Sequence, residues 1–468
     1  MRLPRRKLLG AIGSIAALPA TMRSARAAEP RLLQGPMVGS PGAGDMTIWS
    51  RASGPFQVAV EYADNAQMVG ARMSPPVTAH PDDDYTVRNR LAGLEPGTRY
   101  YYRMYVSGER PRYQRKLPPF SFRTAPSGSA PFRIAYGSCL RVELDQQQRI
   151  WEAVAAREPD LFLWLGDNIY GDALRAETLA EEYRKQRVVP ALQPVLRSAG
   201  NLAIWDDHDY GLNDGDRTST VKVGALGVFR NYWANPAHGL PHTPGVFFDY
   251  HYGGVHFIFL DGRYYRDPNK AENTPQKTQL GAAQKAWLKE KLRGSDAVFK
   301  VLVSGGGWSK AKGPHGDGWS AFLHERDEIF DFIRDEGIGG VIGMSGDTHC
   351  AELNCVPRSE TGGYDFYDLG SSPMAQDTDS DWAYRRPERR MREPYDGGPN
   401  FGVIDFDATA ERPWIESCVV NEYGQNVWEP LRIYADELVN GARTWPDKMD
   451  GDARAWHRLV GQKDIADA

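Results

Sequence analysis

Four short apolar runs in this chain each end in side chains that bind metal. Phe132–Tyr136 leads to Gly137-Ser138-Cys139, and Leu161–Leu165 to Gly166-Asp167-Asn168, with Tyr170 three residues past Asp167. Leu202–Trp205 leads to Asp206-Asp207-His208-Asp209, and Gly340–Met344 to Ser345-Gly346-Asp347-Thr348-His349. Taken singly, a Gly-Asp is a turn, a Tyr a packed ring and a Cys a small buried hydrophobe. Together they would put Asp167, Asp206, Asp207, Asp209, Asp347 and further on Asp214 in one pocket, where like charges repel unless a cation neutralises them. Oxygen-only ligands suit Ca2+, Mg2+ or Mn2+. The thiolate, phenolate and imidazole of Cys139, Tyr170 and His349 suit another ion, and phenolate is a ligand of ferric iron. The residue types thus suggest one iron-like ion and one or more hard divalent ions. A nucleophilic Cys139 is the rival chemistry, and it ranks low because the thiol sits among hard ligands.

Such a site needs strands that deliver the four loops to one edge, since ligands in open α/β sheets sit outside the carboxyl ends of strands. From Phe132 onward the pattern is strand, loop, helix. Helices are predicted near Gln146–Arg157, Leu280–Leu292 and Glu325–Asp335, and strands at Val246–Tyr250, Val255–Leu260 (joined by Gly253-Gly254) and Phe299–Val303. Later β-runs are Tyr364–Leu369, Phe401–Phe406 and Trp414–Val420. This predicts an α/β domain over 132–440 with mixed strands in two sheets and helices outside. Ahead of it, β-rich stretches separated by Gly- and Pro-containing turns predict a small all-β domain over 30–125, with Leu94–Tyr100 as a turn feeding a tyrosine-rich strand. Ala125–Pro131 reads as a linker, assigned to 126–131. Residues 441–468 read as a polar tail. Residues 381–393 are a basic cluster, either a solvated loop or a guanidinium patch that attracts a phosphorylated substrate.

Within the 468 residues the formal net charge is −5. The first 27 residues hold Arg2, Arg5, Arg6, Lys7, Arg23 and Arg26 and no acid, an apolar stretch, then Ala25-Arg26-Ala27. That is the pattern of a cleaved export signal, 1–27, and the adjacent arginines suggest the twin-arginine export machinery and a periplasmic or secreted product. Without them the balance is −11, 50 basic against 61 acidic residues, which speaks against a general nucleic-acid-binding role. No run of 18 apolar residues calls for a stable membrane span after signal removal. Four cysteines, Cys139, Cys350, Cys355 and Cys418, allow three full pairings, and Cys355–Cys418 is conceivable.

The motifs GSC, GDNIY, WDDHDYGLND and SGDTH, in this order, resemble those of the PhoD-like alkaline phosphatases within the calcineurin-like metallophosphatases. TIWSR, LEPGTRYYYRM, FRTAP, Leu260–Arg266 and Gly318-Trp319 with Glu325-Arg326 are also similar, so the resemblance spans about residues 36–407. It implies a Greek-key front domain of Ig/fibronectin-like type, then a two-sheet (αββα) sandwich that hydrolyses phosphate esters with Fe3+ and one or two Ca2+, Mn2+ or Zn2+ being substitutes. By position, Asp167 would bridge the iron and a divalent ion, and Cys139, Tyr170 and His349 would complete the iron side. Asp207 and Asp347 would hold the divalent ion, Asn213 and Asp214 would serve a second one, and His208 would be the general acid. Arg141, Arg263 and Arg326 are candidates to neutralise the phosphoryl group. The superfamily's further His is missing, and Ser304-Gly-Gly-Gly-Trp308 occupies its place. A phosphomonoesterase with some diesterase activity leads. A phosphodiesterase of phospholipase-D-like or polymer specificity, and a non-catalytic metal-stabilised binding or adhesion protein, are the alternatives.

Overall fold

The computed structural model describes residues 29–468, so the export signal expected over 1–27 lies outside the described residues. In the front domain, Leu32–Val38, Asp45–Ala52 and Thr86–Ala92 form one antiparallel sheet, and Gln57–Ala63, Arg99–Val106 and Phe120–Arg123 the main strands of a second. The strict alternation of Arg99–Val106 turns Tyr100, Tyr102, Met104 and Val106 inward. They meet Val38 and Ile48 of the other sheet in one core. The domain is fastened to the rest by named bonds. Trp49 Nε1 donates to Asn231 O (2.7 Å), Tyr102 Oη to Arg197 O (3.0 Å), and Asp84 accepts from Arg184 Nη1 (2.7 Å) and Tyr232 Oη.

The second domain is built on two sheets. One has the strand order Gly200–Ile204, Leu161–Leu165, Phe132–Gly137, Asn400–Asp407, Trp414–Asn421, Leu431–Tyr434. Its first three strands are parallel and the others antiparallel. The other sheet runs Phe248–Tyr252, Val255–Phe259, Phe299–Val303, Val341–Ser345, Phe366–Gly370, Glu352–Val356, Arg389–Arg390. Its four central strands are parallel. The sheets pack face to face: Phe132 of the first lies 4.9 Å from Tyr252 and 6.2 Å from Phe257 of the second, ring centre to ring centre. Strands buried on both faces explain the uninterrupted apolar runs; all five residues of Leu161–Leu165 are buried. Because parallel strands share one direction, their carboxyl ends deliver four loops to one edge.

Several sequence expectations need correction. The first helix starts at Ile150 rather than Gln146, because Asp145 Oδ1 accepts from the amides of Gln147 (2.9 Å) and Gln148 (2.8 Å) and holds a turn there. Cys355 and Cys418 lie in different sheets, and all four cysteines are free thiols. The segment read as a tail forms helices at Trp445–Lys448, Gly451–Leu459 and Lys463–Ala466, with Trp445 in the main core. Its Trp456 Nε1 donates to Ala383 O (2.6 Å). The basic cluster is neither a loose loop nor a free patch: Arg385, Arg389, Arg390 and Arg392 pair with Asp379, Glu360, Glu352 and Asp450. No helix among the described residues is long and apolar enough to cross a membrane.

Candidate metal centre

The strand-end loops are bent hard. Cys139 (φ 63°), Asp167 (φ 48°), Asp347 (φ 67°) and His349 (φ 53°) all adopt the left-handed conformation that non-glycine residues rarely take. Such conformations cost about 1–3 kcal/mol each and persist only where the surroundings impose them. Cross-loop bonds impose them here. Leu140 N donates to Asp167 O (2.9 Å), Asp347 N to Ser138 Oγ (3.0 Å), His349 N to Ser372 Oγ (3.1 Å) and Ala375 N to Cys139 O (2.9 Å). Gly346 N donates to Gly305 O (2.8 Å). Gly305 itself must lack a side chain, since a Cβ there would lie 2.7 Å from the Asp206 carboxylate.

The result is a chain of donor groups. The ligand atoms of Cys139, Asp167 and His349 lie within 4.8 Å of one another, as do those of Asp167, Asp207 and His208. The same holds for Asp206, Asp317 and Asp347, and for Asp207, Asp214 and Asp317. Asp167 belongs to two of these groups. Tyr170 Oη is 3.0 Å from His349 Nε2, and the Tyr170 ring stacks on His208 with centres 4.1 Å apart. Cys139 Sγ lies 3.4 Å from Asp167 Oδ2.

Charge in this cluster is unbalanced without cations. Asp167 Oδ1, Asp206 Oδ2 and Asp207 Oδ1 are buried and have no hydrogen-bond partner, which native proteins avoid. Burial, then the Cys139 thiol, pushes the Asp167 carboxyl well above the usual range. Burial also raises Asp347 and pushes the Cys139 thiol up to about 11. For Asp207 the penalty of burial is outweighed by the Arg263 guanidinium, and its carboxyl is lowered. Mixed sulfur, phenol, imidazole and carboxylate donors beside orphaned carboxylate oxygens fit bound cations.

The structure does not bring every predicted residue to this cluster. Arg263 is fully buried, and its donors go to Asp206 and Asp317, with Asp207 at 3.5 Å. It braces carboxylates and has no donor left for a substrate. Arg326 donates to Trp308 O (2.9 Å) and Glu388 (2.7 Å), because it sits on the inner face of the helix Leu323–Asp335. Arg141 is exposed at the site, with its guanidinium 5.7 Å from the Tyr170 ring centre. Asn213 is exposed and bonds only its neighbour Asp214 (3.1 Å); Asp214 is the one grouped with Asp207. Asp209 braces the loops, accepting from Asn168 N (3.1 Å), Asp206 N (3.2 Å) and Tyr183 Oη (2.7 Å).

Sequence reasoning missed Asp317, Lys312 and Asp172. Lys312 pairs with Asp347, and Asp172 Oδ1 lies 2.6 Å from His208 Nδ1. The only signal for Asp317 was Gly316-Asp317-Gly318 ahead of Trp319, and nothing local marked Lys312.

A family model described as PhoD-like phosphatase matches residues 134–390, more than half of the chain. The chain belongs to the PhoD-like phosphatase family. The model of that family's N-terminal domain matches residues 17–126. Alkaline phosphatase D of Bacillus subtilis (strain 168) is 26% identical over 333 residues, covering 60% of this chain and 55% of that protein, so the match spans about half of that relative's length. The solved structure of PhoD superposes with a TM-score of 0.69 at 18% identity, over 92% of this chain and 96% of that one. Purple acid phosphatase PPD1 from yellow lupin (Lupinus luteus) seeds gives a TM-score of 0.60 at 12% identity, over 86% of this chain and 74% of that one. These likenesses show a metallophosphatase fold with an all-β front domain. Every candidate ligand from Cys139 to His349 falls within the family match.

Proposed function

We propose that this PhoD-like protein is a metal-dependent phosphoric ester hydrolase acting on monoesters and also on diesters. One observation carries the reading: four strand-end loops bring Asp167 into two donor groups at once, with orphaned carboxylate oxygens beside His208. In this reading Cys139, Asp167, Tyr170 and His349 would hold Fe3+. Asp167, Asp207 and Asp347 would hold Ca2+, and Asp214, rather than Asn213, would serve a second. When bound, such ions lower the pKa of water and neutralise charge on phosphoryl oxygens.

The chain's own groups do the rest. Burial disfavours a charged His208, and neighbouring carboxylates, among them Asp172, which is no metal ligand in this reading, outweigh it and raise its pKa. Asp172 fixes the ring through Nδ1, so His208 carries a proton that it can give to the leaving oxygen. Arg141, exposed above Tyr170, supplies a donor to the phosphoryl oxygens. The basic signal segment supports export through the twin-arginine machinery to a periplasmic or secreted location.

The test is a visible spectrum with metal analysis on protein isolated without chelator, followed by assays with p-nitrophenyl phosphate and bis-p-nitrophenyl phosphate. Iron and calcium with a tyrosinate-to-iron band and turnover of both esters are the expected result. Protein that stays metal-free and inactive after Fe and Ca are added back would move the reading to a binding protein. A colourless active enzyme loaded with Zn2+ or Mn2+ would overturn the ion identities alone.

A further inference from the structure

A second donor cluster lies at the other end of the parallel strands. Phe248–Tyr252 and Val255–Phe259 form the antiparallel hairpin at the rim of the seven-stranded sheet. His251 and His256 face each other across it, with ring centres 4.0 Å apart. Asp249 stands two residues before His251, and side chains at i and i+2 share one face of a strand. The ligand atoms of Asp249, His251 and His256 lie within 4.8 Å of one another. Val255–Phe259 runs on towards Asp261 and Arg263, so this cluster sits at the amino end of a strand whose carboxyl end meets the main centre.

Three details point to a ligand. His256 is 2% exposed, and its Nε2 is buried with no hydrogen-bond partner, 3.3 Å from Asp249 Oδ2. The other nitrogen, Nδ1, is 2.9 Å from Ser295 Oγ, the kind of outer contact that fixes the tautomer of a metal-binding histidine. The Asp249 carboxylate is split between two duties: Oδ1 pairs with Lys291 Nζ at 3.1 Å, and Oδ2 faces the imidazoles. With Nδ1 donating to Ser295 Oγ, Nε2 would turn its lone pair to Asp249 Oδ2, an arrangement that a bound cation would relieve.

We propose that Asp249, His251 and His256 form a binding site for a first-row divalent cation of the Zn2+ class. Two imidazoles and one carboxylate are a common Zn2+ donor set, and three protein ligands leave a position for water. The ion would pin the rim hairpin across its two strands.

The test is Zn2+ titration of the metal-loaded, untagged protein by calorimetry, repeated on His251→Ala and Ser295→Ala, with Co2+ absorption as a second readout. His251 is largely solvent-facing, so its loss leaves the fold intact. Wild type should take up one Zn2+ more than His251→Ala and give tetrahedral Co2+ bands that the variant lacks. Ser295→Ala should bind that ion about 10–100-fold more weakly, as loss of an outer contact does. Equal Zn2+ uptake by wild type and His251→Ala, with identical Co2+ spectra, would overturn the proposal. So would a wild-type site that takes up Zn2+ only above about 1 mM, too weak for three protein ligands.

Discussion

Gly166 precedes Asp167 and tests how rigidly the main site is built. Its φ is +97°, and a Cβ there would lie 2.6 Å from Asp206 Cβ, 2.7 Å from Asp206 N and 2.9 Å from the Trp205 carbonyl carbon. These are mostly backbone atoms of the neighbouring strand end, so no side chain can swing away. Gly166→Ala therefore meets two costs. The left-handed conformation costs roughly 1–2 kcal/mol with a Cβ, and forced overpacking a further 1–3 kcal/mol. The sum is about 2–5 kcal/mol, a large part of a domain's net stability but survivable. Gly337→Ala is the control, because Gly337 (φ +65°) follows the helix Leu323–Asp335 in the same domain and a Cβ there would meet nothing within 4 Å. It should cost only the conformational part. With about 2–4 °C of Tm per kcal/mol, Gly337→Ala should lower Tm by about 2–8 °C and Gly166→Ala by about 4–20 °C, the larger loss of the two. Relief of that crowding should displace Asp167 from its place beside Asp207. Gly166→Ala should thus also lose metal, about tenfold in affinity for each 1.4 kcal/mol transmitted to the site. Calorimetric melting and metal analysis of both variants measure this. Equal Tm losses with full metal retention in both would refute the crowding argument.

His208→Gln should keep its metals and lose roughly 10²–10⁴-fold in turnover, the usual worth of a general acid; unchanged kcat at unchanged metal content removes His208 from the reaction. Arg141→Ala should raise KM more than it lowers kcat, by about 10-fold for one exposed charged contact; a kinetically silent variant leaves phosphoryl binding to the cations alone. Asp368 is fully buried, and burial outweighs the bonds it accepts from Ser345 Oγ and Trp308 N, raising its carboxyl to about 7. Its folded pKa thus lies above its unfolded value, so its stabilising contribution is complete below about pH 4 and is lost as pH rises through about 7. Denaturation of wild type and Asp368→Asn from pH 5 to 8.5 should show the stability gap narrowing with pH, and a constant gap counts against this assignment.

The strands of the second domain were legible locally. Apolar runs closed by Gly-Asp, Asp-Asp-His-Asp or Gly-Asp-Thr-His must be strands buried on both faces that stop at polar loops, because burial and turn chemistry act over a few residues. The family motifs are equally local, and so the family and the two-sheet architecture were legible, as was which strand ends carry the candidate ligands. Tertiary structure alone decided what each charge does. Asp206 to Asp209 are consecutive, yet Asp207 faces the donor cluster while Asp209 braces two loops through Asn168 and Tyr183. Arg263 and Arg326, candidates from the sequence for neutralising a phosphoryl group, are consumed by Asp206, Asp317 and Glu388. Asp317 and Lys312 reach the site from a loop whose position depends on strand order, and the basic run 381–393 finds its acids in other segments, among them Glu352, Glu360 and Asp450. Pairing between distant charges depends on how the sheets stack and which strands adjoin, and no window of sequence holds that information.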